Sequence, residues 1–174
     1  RLLFPIHNDY GDIIGFSARQ LINDPNSGKY INTKQTQLFD KSRIFFGLDK
    51  ARRPISKAKY AILCEGQIDV ISLHEQGIQN VVAALGTGTT EHHARLLKRY
   101  TKDAVLCYDS DAAGHKATTR AFKAMVAEGI NVRCVTMPEG EDPDSYILAN
   151  GVDAFKKLLD DAEEFFDYKL KHAT

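Results

Sequence analysis

The chain has 174 residues, enough for one ordinary domain or one domain with a small appendage, and 43% of them are hydrophobic, so a normal core can form. Composition argues against disorder, and no apolar run is long enough for a membrane-spanning helix. The net charge of zero hides a division: residues 1–59 hold 11 Lys and Arg against 5 Asp and Glu (+6), and residues 60–174 hold 12 against 18 (−6). A basic half joined to an acidic half suits a polyanion on one side and cations on the other, although chance clustering of solvated charge gives the same numbers. Cys64, Cys107 and Cys134 lie apart in apolar runs, neither a zinc pattern nor a disulfide framework, and read as buried thiols in a reducing cytoplasm. The chain opens on Arg1-Leu2-Leu3-Phe4-Pro5-Ile6, without a starting Met and already strand-like, as expected of a piece of a longer protein.

Apolar, β-rich runs at 2–6 and 13–21 flank the turn Asn8-Asp9-Tyr10-Gly11-Asp12 and predict a hairpin. A loop at 23–28 follows, then an irregular basic stretch with a short strand near Tyr30 and a short helix near 47–52. From residue 58 the pattern becomes regular. Strands are predicted at 60–64, 80–85, 103–108 and 131–137. Between them run helices at 67–76 with Ile68, Ile71 and Val70 inward, from Thr89 or Thr90 to Tyr100 with Ala94, Leu96 and Leu97 inward, and over 112–128. Asp142 caps a helix with Pro143 at its first position, ending at Asn150-Gly151, and residues 152–172 read as one last amphipathic helix. Short strands apolar on both faces, alternating with helices, mean a four-stranded parallel sheet covered on both sides.

Such sheets bind ligands at the carboxyl ends of their strands. After the first predicted strand of this sheet come Glu65-Gly66 and, one turn on, Asp69. After the second comes Gly86-Thr87-Gly88-Thr89-Thr90, after the third Asp109-Ser110-Asp111, and after the fourth Glu139-Gly140-Glu141-Asp142-Pro143-Asp144. Three of the four ends thus deliver carboxylates to one edge. Carboxylates held close repel and need a cation, and hard oxygen ligands without His or Cys suit Mg²⁺ or Mn²⁺. Each signal alone has a plainer reading: a lone D-x-D is as a rule a loop or cap, Asp142 is a good N-cap, the Gly-Thr loop fits a tight turn as well as a phosphate contact, and His92 and His93 read as surface residues. The combination is what points to chemistry.

In order and spacing, that combination resembles the TOPRIM module of topoisomerases, bacterial primases and some nucleases, with Glu65, Asp109 and Asp111 at the positions of its Glu and D-x-D. Leu85-Gly86-Thr87-Gly88-Thr89-Thr90, Tyr108-Asp109-Ser110-Asp111-Ala112-Ala113-Gly114 and Gly140-Glu141-Asp142-Pro143-Asp144 are closer still to DnaG-type bacterial primases. So are Phe4-Pro5-Ile6, Gly15-Phe16 with Arg19, Lys29-Tyr30-Ile31-Asn32, Phe39-Asp40-Lys41 and Phe46-Gly47-Leu48 in the basic half. Gln67 stands where the family commonly has an aromatic residue and Ser110 where it has Gly; residues 146–174 carry no motif.

The resemblance implies a basic β-rich subdomain over 1–57, part of the polymerase core, a TOPRIM domain over 58–141 and a helical segment over 142–174. It implies a DNA-dependent RNA polymerase, a nucleotidyltransferase making short RNA primers on single-stranded DNA by two-metal chemistry at the replication fork. Glu65, Asp109 and Asp111 would be catalytic; with Asp69, Asp142 and Asp144 they would hold Mg²⁺ or Mn²⁺, and Arg19, Lys29, Asn32 and Lys41 would bind template, primer or ribonucleoside triphosphate. Zinc would belong only to a separate N-terminal module, and a replicative helicase would dock on a region outside this sequence. A TOPRIM nuclease, a topoisomerase with its tyrosine on another domain, or a non-catalytic metal- and DNA-binding clamp remain open; the basic Lys29–Lys41 stretch speaks against the nuclease.

Overall fold

The computed structural model describes residues 1–22 and 24–172. β1 (Leu2–His7) and β2 (Ile13–Arg19) pair antiparallel, and β3 (Tyr30–Asn32) extends this small sheet along β2. The hairpin turn is built by Asn8, whose Oδ1 accepts the backbone N–H groups of Tyr10 and Asp12, each at 3.0 Å, while Gly11 supplies φ +97°. Helix α1 (Leu48–Ala58) follows and runs through Pro54, further than the short helix predicted near 47–52. Its buried residues Leu48, Ala51 and Ile55 form one stripe, and that packing outweighs the local cost of the proline.

The second sheet contains β4 (Ala61–Cys64), β5 (Val81–Ala83), β6 (Asp103–Leu106), β7 (Asn131–Cys134) and β8 (Glu163–Glu164), in the order β5-β4-β6-β7-β8. The first four strands are parallel, as the sequence implies. β8 adds a short antiparallel edge, pairing Arg133 with Glu164 and Cys134 with Glu163. Side chains alternate between two cores. Ala61, Leu63, Ala104 and Leu106 face α1, α3 (Glu91–Leu97), α4 (Ala112–Ala127) and α6 (Phe165–Lys171); Ile62, Cys64 and Val105 face α2 (Gln67–Glu75) and α5 (Pro143–Asp160). Burial on both faces is why these strands read as continuous apolar runs.

Several expectations are corrected. The inward residues of α2 are Val70 and Leu73, while Ile68 and Ile71 are only part-buried. The last amphipathic segment is not one helix: after Gly151, which breaks helical geometry with φ +79°, it ends at Asp160, forms β8 and resumes as α6. His93 is fully buried rather than on the surface. Its Nε2 lies 2.9 Å from the Ile44 carbonyl and its Nδ1 accepts the Thr90 N–H at 3.1 Å, so both ring nitrogens are satisfied. Cys64, Cys107 and Cys134 are buried and free, as expected.

The small sheet is tied to the large one beside the strand ends. Phe46 N–H donates to the Ala83 carbonyl at 2.8 Å along the β5 edge, and Ile6, Phe39 and Leu85 form a common apolar cluster. Among the described residues no helix is long and apolar enough to cross a membrane.

Candidate functional site

β4 and β6 are neighbours, but the chain leaves β4 towards β5 on one side and leaves β6 towards β7 on the other. Their exits also pass to opposite faces, α2 to one and α4 to the other. This is a topological switch point, where a crevice opens at the carboxyl end of the sheet. Glu65 follows β4 and Asp109 lies just beyond β6, so the two carboxylates flank that crevice.

The D-x-D segment is fixed by what comes after it. Asp111 caps α4, its Oδ1 accepting the Gly114 N–H at 2.7 Å. Gly114 sits directly on the Asp109 backbone; a Cβ there would overlap the Asp109 carbonyl oxygen and come within 2.8 Å of its carbon. The glycine therefore lets the first turn of α4 press against the strand end that presents Asp109. Ser110, in the place of the family's glycine, accepts the Gly140 N–H at 2.9 Å and contacts the Glu141 carbonyl at 3.4 Å, joining the D-x-D to the loop before Asp142.

Asp142 caps α5 by accepting the Ser145 N–H at 2.7 Å, with Pro143 at the first helical position. Asp144 accepts a hydrogen bond from Ser72 Oγ on α2. Asp69, 6% exposed, is committed on both oxygens, to Gly66 N–H at 2.9 Å and to Asp144 N–H at 3.3 Å, and so braces two strand ends against each other. By contrast, Asp111 and Asp142 each spend one oxygen on a cap, so capping and ligation are not exclusive for them.

Electrostatics shows how near these groups are. Burial, then Asp109 and Asp111, raise the Glu65 pKa to about 7, with Arg120 opposing. Burial raises Asp69 to about 7 against its backbone hydrogen bonds, with Asp109 and Asp142 adding to the rise. Asp109 is raised by burial, Asp142 and Asp111, and the Lys29 ammonium pulls the other way. Burial first, and neighbouring carboxylates second, thus disfavour the ionised forms of Glu65, Asp69 and Asp109 in the absence of a cation. Glu65 Oε1 is in addition buried with no hydrogen-bond partner. Among the described residues no three acidic, His or Cys side chains close into a ready-made ion cage. The all-oxygen donor set, the orphaned Glu65 oxygen and the raised pKa values nonetheless fit a hard divalent cation, which takes few protein ligands and completes its shell with water and phosphate oxygens.

The basic half reaches the same crevice. Arg19 lies over the Tyr30 ring at 5.9 Å, and Tyr30, its pKa raised mainly by burial, feels both Asp69 and Asp144. Asn32 Nδ2 donates to the Leu85 carbonyl at 3.3 Å, and its Oδ1 is buried without a partner. Lys29 and Lys41 are exposed, and the Lys41 carbonyl meets Thr87 Oγ1 at 3.5 Å. The Gly-Thr loop is mostly structural: Thr89 Oγ1 contacts Tyr108 OH at 3.0 Å, and Thr90 caps α3 while its hydroxyl donates to the Ser42 carbonyl at 2.6 Å. Arg120, which the sequence did not single out, lines a cavity of about 160 Å³ with Glu65, Gly86, Gly88 and Tyr108. One arginine on an amphipathic helix gives no sequence signal; only the fold brings it to Glu65.

Residues 1–52 match the family model of the DNA primase catalytic core, N-terminal domain, and residues 62–147 match the Toprim-like model. The chain is 39% identical over 173 residues to the DNA primase of Clostridium acetobutylicum, covering 99% of this chain and 28% of that protein. The chain belongs to the DnaG-type primase family. It superposes on the Aquifex aeolicus primase, a structure of the zinc-binding and RNA polymerase domains, with a TM-score of 0.92 at 39% identity, over 99% of this chain and 43% of that one. It also matches a DnaG primase catalytic domain bound to ssDNA, with a TM-score of 0.83 at 36% identity, over 93% and 53% of the two chains. The primase-family fold, with its TOPRIM-type sheet, is thus shared closely, while the chain spans under a third of the curated relative's length.

Proposed function

We propose that this chain forms the metal-binding part of a DNA primase active site, which joins ribonucleotides into short primers on a single-stranded DNA template. The observation that carries this reading is the pairing of Glu65 with the Asp109–Asp111 segment across the β4/β6 switch point, with Lys29 close enough to lower the Asp109 pKa. A nuclease needs the same carboxylates but not the Arg19–Tyr30 and Lys29–Lys41 surface alongside them.

Glu65, Asp109 and Asp111 would hold Mg²⁺ or Mn²⁺, with Asp142 and Asp144 on the far wall and Asp69 bracing the strand ends. A divalent cation held by these carboxylates would supply Lewis-acid chemistry, making a 3′-hydroxyl more acidic and offsetting the charge of a leaving pyrophosphate. Arg19, Lys29, Asn32 and Lys41 would steer template, primer or incoming ribonucleoside triphosphate by contacts to phosphate and sugar. The part-buried strand ends keep the carboxylates in place, so that little reorganisation is left for the reaction itself. The domain limits 1–57, 58–141 and 142–174, action at the fork in the cytoplasm, and a helicase partner outside this segment belong to the same proposal.

The test is primer synthesis on single-stranded DNA by the full-length protein carrying Glu65→Gln. Loss of product with unchanged thermal unfolding supports the reading. Undiminished synthesis would remove Glu65 from the chemistry.

A further inference from the structure

Residues 60–174 carry a net charge of −6, yet α4 contains no Asp or Glu at all. Its cations are Lys116, Arg120 and Lys123. Lys116, Arg120 and Lys123 are exposed and spaced i, i+4, i+7, so they share one face of the helix. None of the three takes part in an ion pair among the described residues, whose pairs lie elsewhere, on Arg43, Lys50, Arg95, Arg99, Lys171 and His7. This face borders a groove of about 700 Å³ between α4 and α6, where Lys169 and His172 line the wall with Lys116 and Arg120 and no carboxylate enters. His115 is held in place by Tyr168 OH at 2.6 Å from its Nδ1, with the His172 ring 4.5 Å away between centroids.

Arg120 is partly offset by Glu65, but Lys116 and Lys123 flank it without a carboxylate partner, and such a run of like charge calls for an anionic partner. The rise from Lys116 to Lys123 is about 10 Å, at roughly 1.5 Å per helical residue. One strand of a duplex places a phosphate every ~3.4 Å, so the stripe spans several phosphates of an extended polyanion rather than one small anion. The groove is also continuous with the carboxylate edge: Asp111 caps α4, and Arg120 lines both the groove and the cavity holding Glu65.

We propose that the α4–α6 groove is a second nucleic-acid track, binding the sugar–phosphate backbone of a strand that runs away from the carboxylate edge. The strand's direction rests on the primase reading; recognition of its phosphates does not. Template DNA and RNA primer share that chemistry, so a single-stranded DNA oligonucleotide and an RNA–DNA duplex with a single-stranded overhang serve as separate probes.

Their affinities are measured by fluorescence anisotropy across a salt series for wild type, for Lys116→Gln/Lys123→Gln/Lys169→Gln, and for Lys29→Ala/Lys41→Ala. The triple variant is expected to bind at least one probe more weakly at low salt, with a slope of log affinity against log salt shallower by about 2, at ~0.7 per phosphate contact. The probe that weakens tells which strand uses the groove. The same loss in a protein whose Lys29→Ala/Lys41→Ala variant binds normally keeps the track and removes the basic half from the primase reading. Wild-type affinity and slope for both probes in the triple variant overturn the track without touching that reading. Weaker binding of a polyglutamate probe alone makes the groove an acidic-peptide site and likewise overturns it.

Discussion

The carboxylate edge and the basic half meet at one crevice but are built in opposite ways. Glu65 and Asp109 stand just beyond strand ends, part-buried, and Asp69 is buried in the first turn of α2; all three have raised pKa values, while Asp111 and Asp142 are locked as helix caps. Lys29 and Lys41 are exposed on irregular backbone and join no ion pair among the described residues. The difference teaches a division of labour. On the proposed reading, groups that would hold an ion are fixed by the scaffold, whereas groups that would follow a polyanion stay solvated on long side chains.

The most severe way to break the comparison is to empty the rigid side. Asp109→Ala/Asp111→Ala in the full-length protein is expected to abolish primer synthesis, read as radiolabelled product. The part-buried Asp109 carboxyl is electrostatically costly where it is, and losing the Asp111 cap costs only about 1 kcal/mol, so the double variant is expected to fold. Next is Gly114→Ala, which presses a methyl group into the Asp109 backbone. Overpacking of this kind costs roughly 2 kcal/mol, or about 4–8 °C in Tm, readable by calorimetry.

The rigid side should also respond to pH. In the fold, burial above all pushes Glu65 and Asp69 up to about 7, from ordinary values of 4.5 and 3.8. Between about pH 4 and 7 the folded chain therefore holds protons that the unfolded chain has released, and the metal-free stability contributed by these two groups falls as pH rises through that window. Mn²⁺ or Mg²⁺ is expected to oppose this fall, raising Tm more at pH 8 than at pH 5.5, because the ion must displace those protons. Equal shifts at both pH values would place the ion elsewhere.

The solvated side should respond to salt instead. Lys29→Ala and Lys41→Ala are each expected to leave Tm unchanged and to lower the salt slope of single-stranded DNA binding by ~0.7. The smallest effect is expected for Ser110→Gly, which removes the hydroxyl joining the D-x-D to Gly140 and costs about 1 kcal/mol by denaturant unfolding.

The four parallel strands were legible because they are short, largely apolar runs that alternate regularly with helical patterns. The D-x-D stands out only together with Glu65-Gly66 and Asp142-Pro143-Asp144 at the neighbouring strand ends, since alone such a string reads as a loop or cap. What escaped notice did so for physical reasons. β8 is two glutamates held by backbone pairing with β7, with no apolar pattern to announce it. α1 runs through Pro54 because tertiary packing overrides local propensity. His93 looks like a surface residue until the Ile44 carbonyl, far away in sequence, is seen to satisfy its ring. Arg120 needs the whole βαβ arrangement before it lies beside Glu65.

Everything proposed for this edge turns on whether Glu65 and the Asp109–Asp111 segment together hold a divalent cation at the switch point. Calorimetric titration of Mn²⁺ into this chain, wild type beside Asp109→Ala/Asp111→Ala, tests it most directly. The wild type is expected to bind saturably, with proton release near pH 7, and the double variant to lose that binding. Equal binding by the two proteins would contradict it.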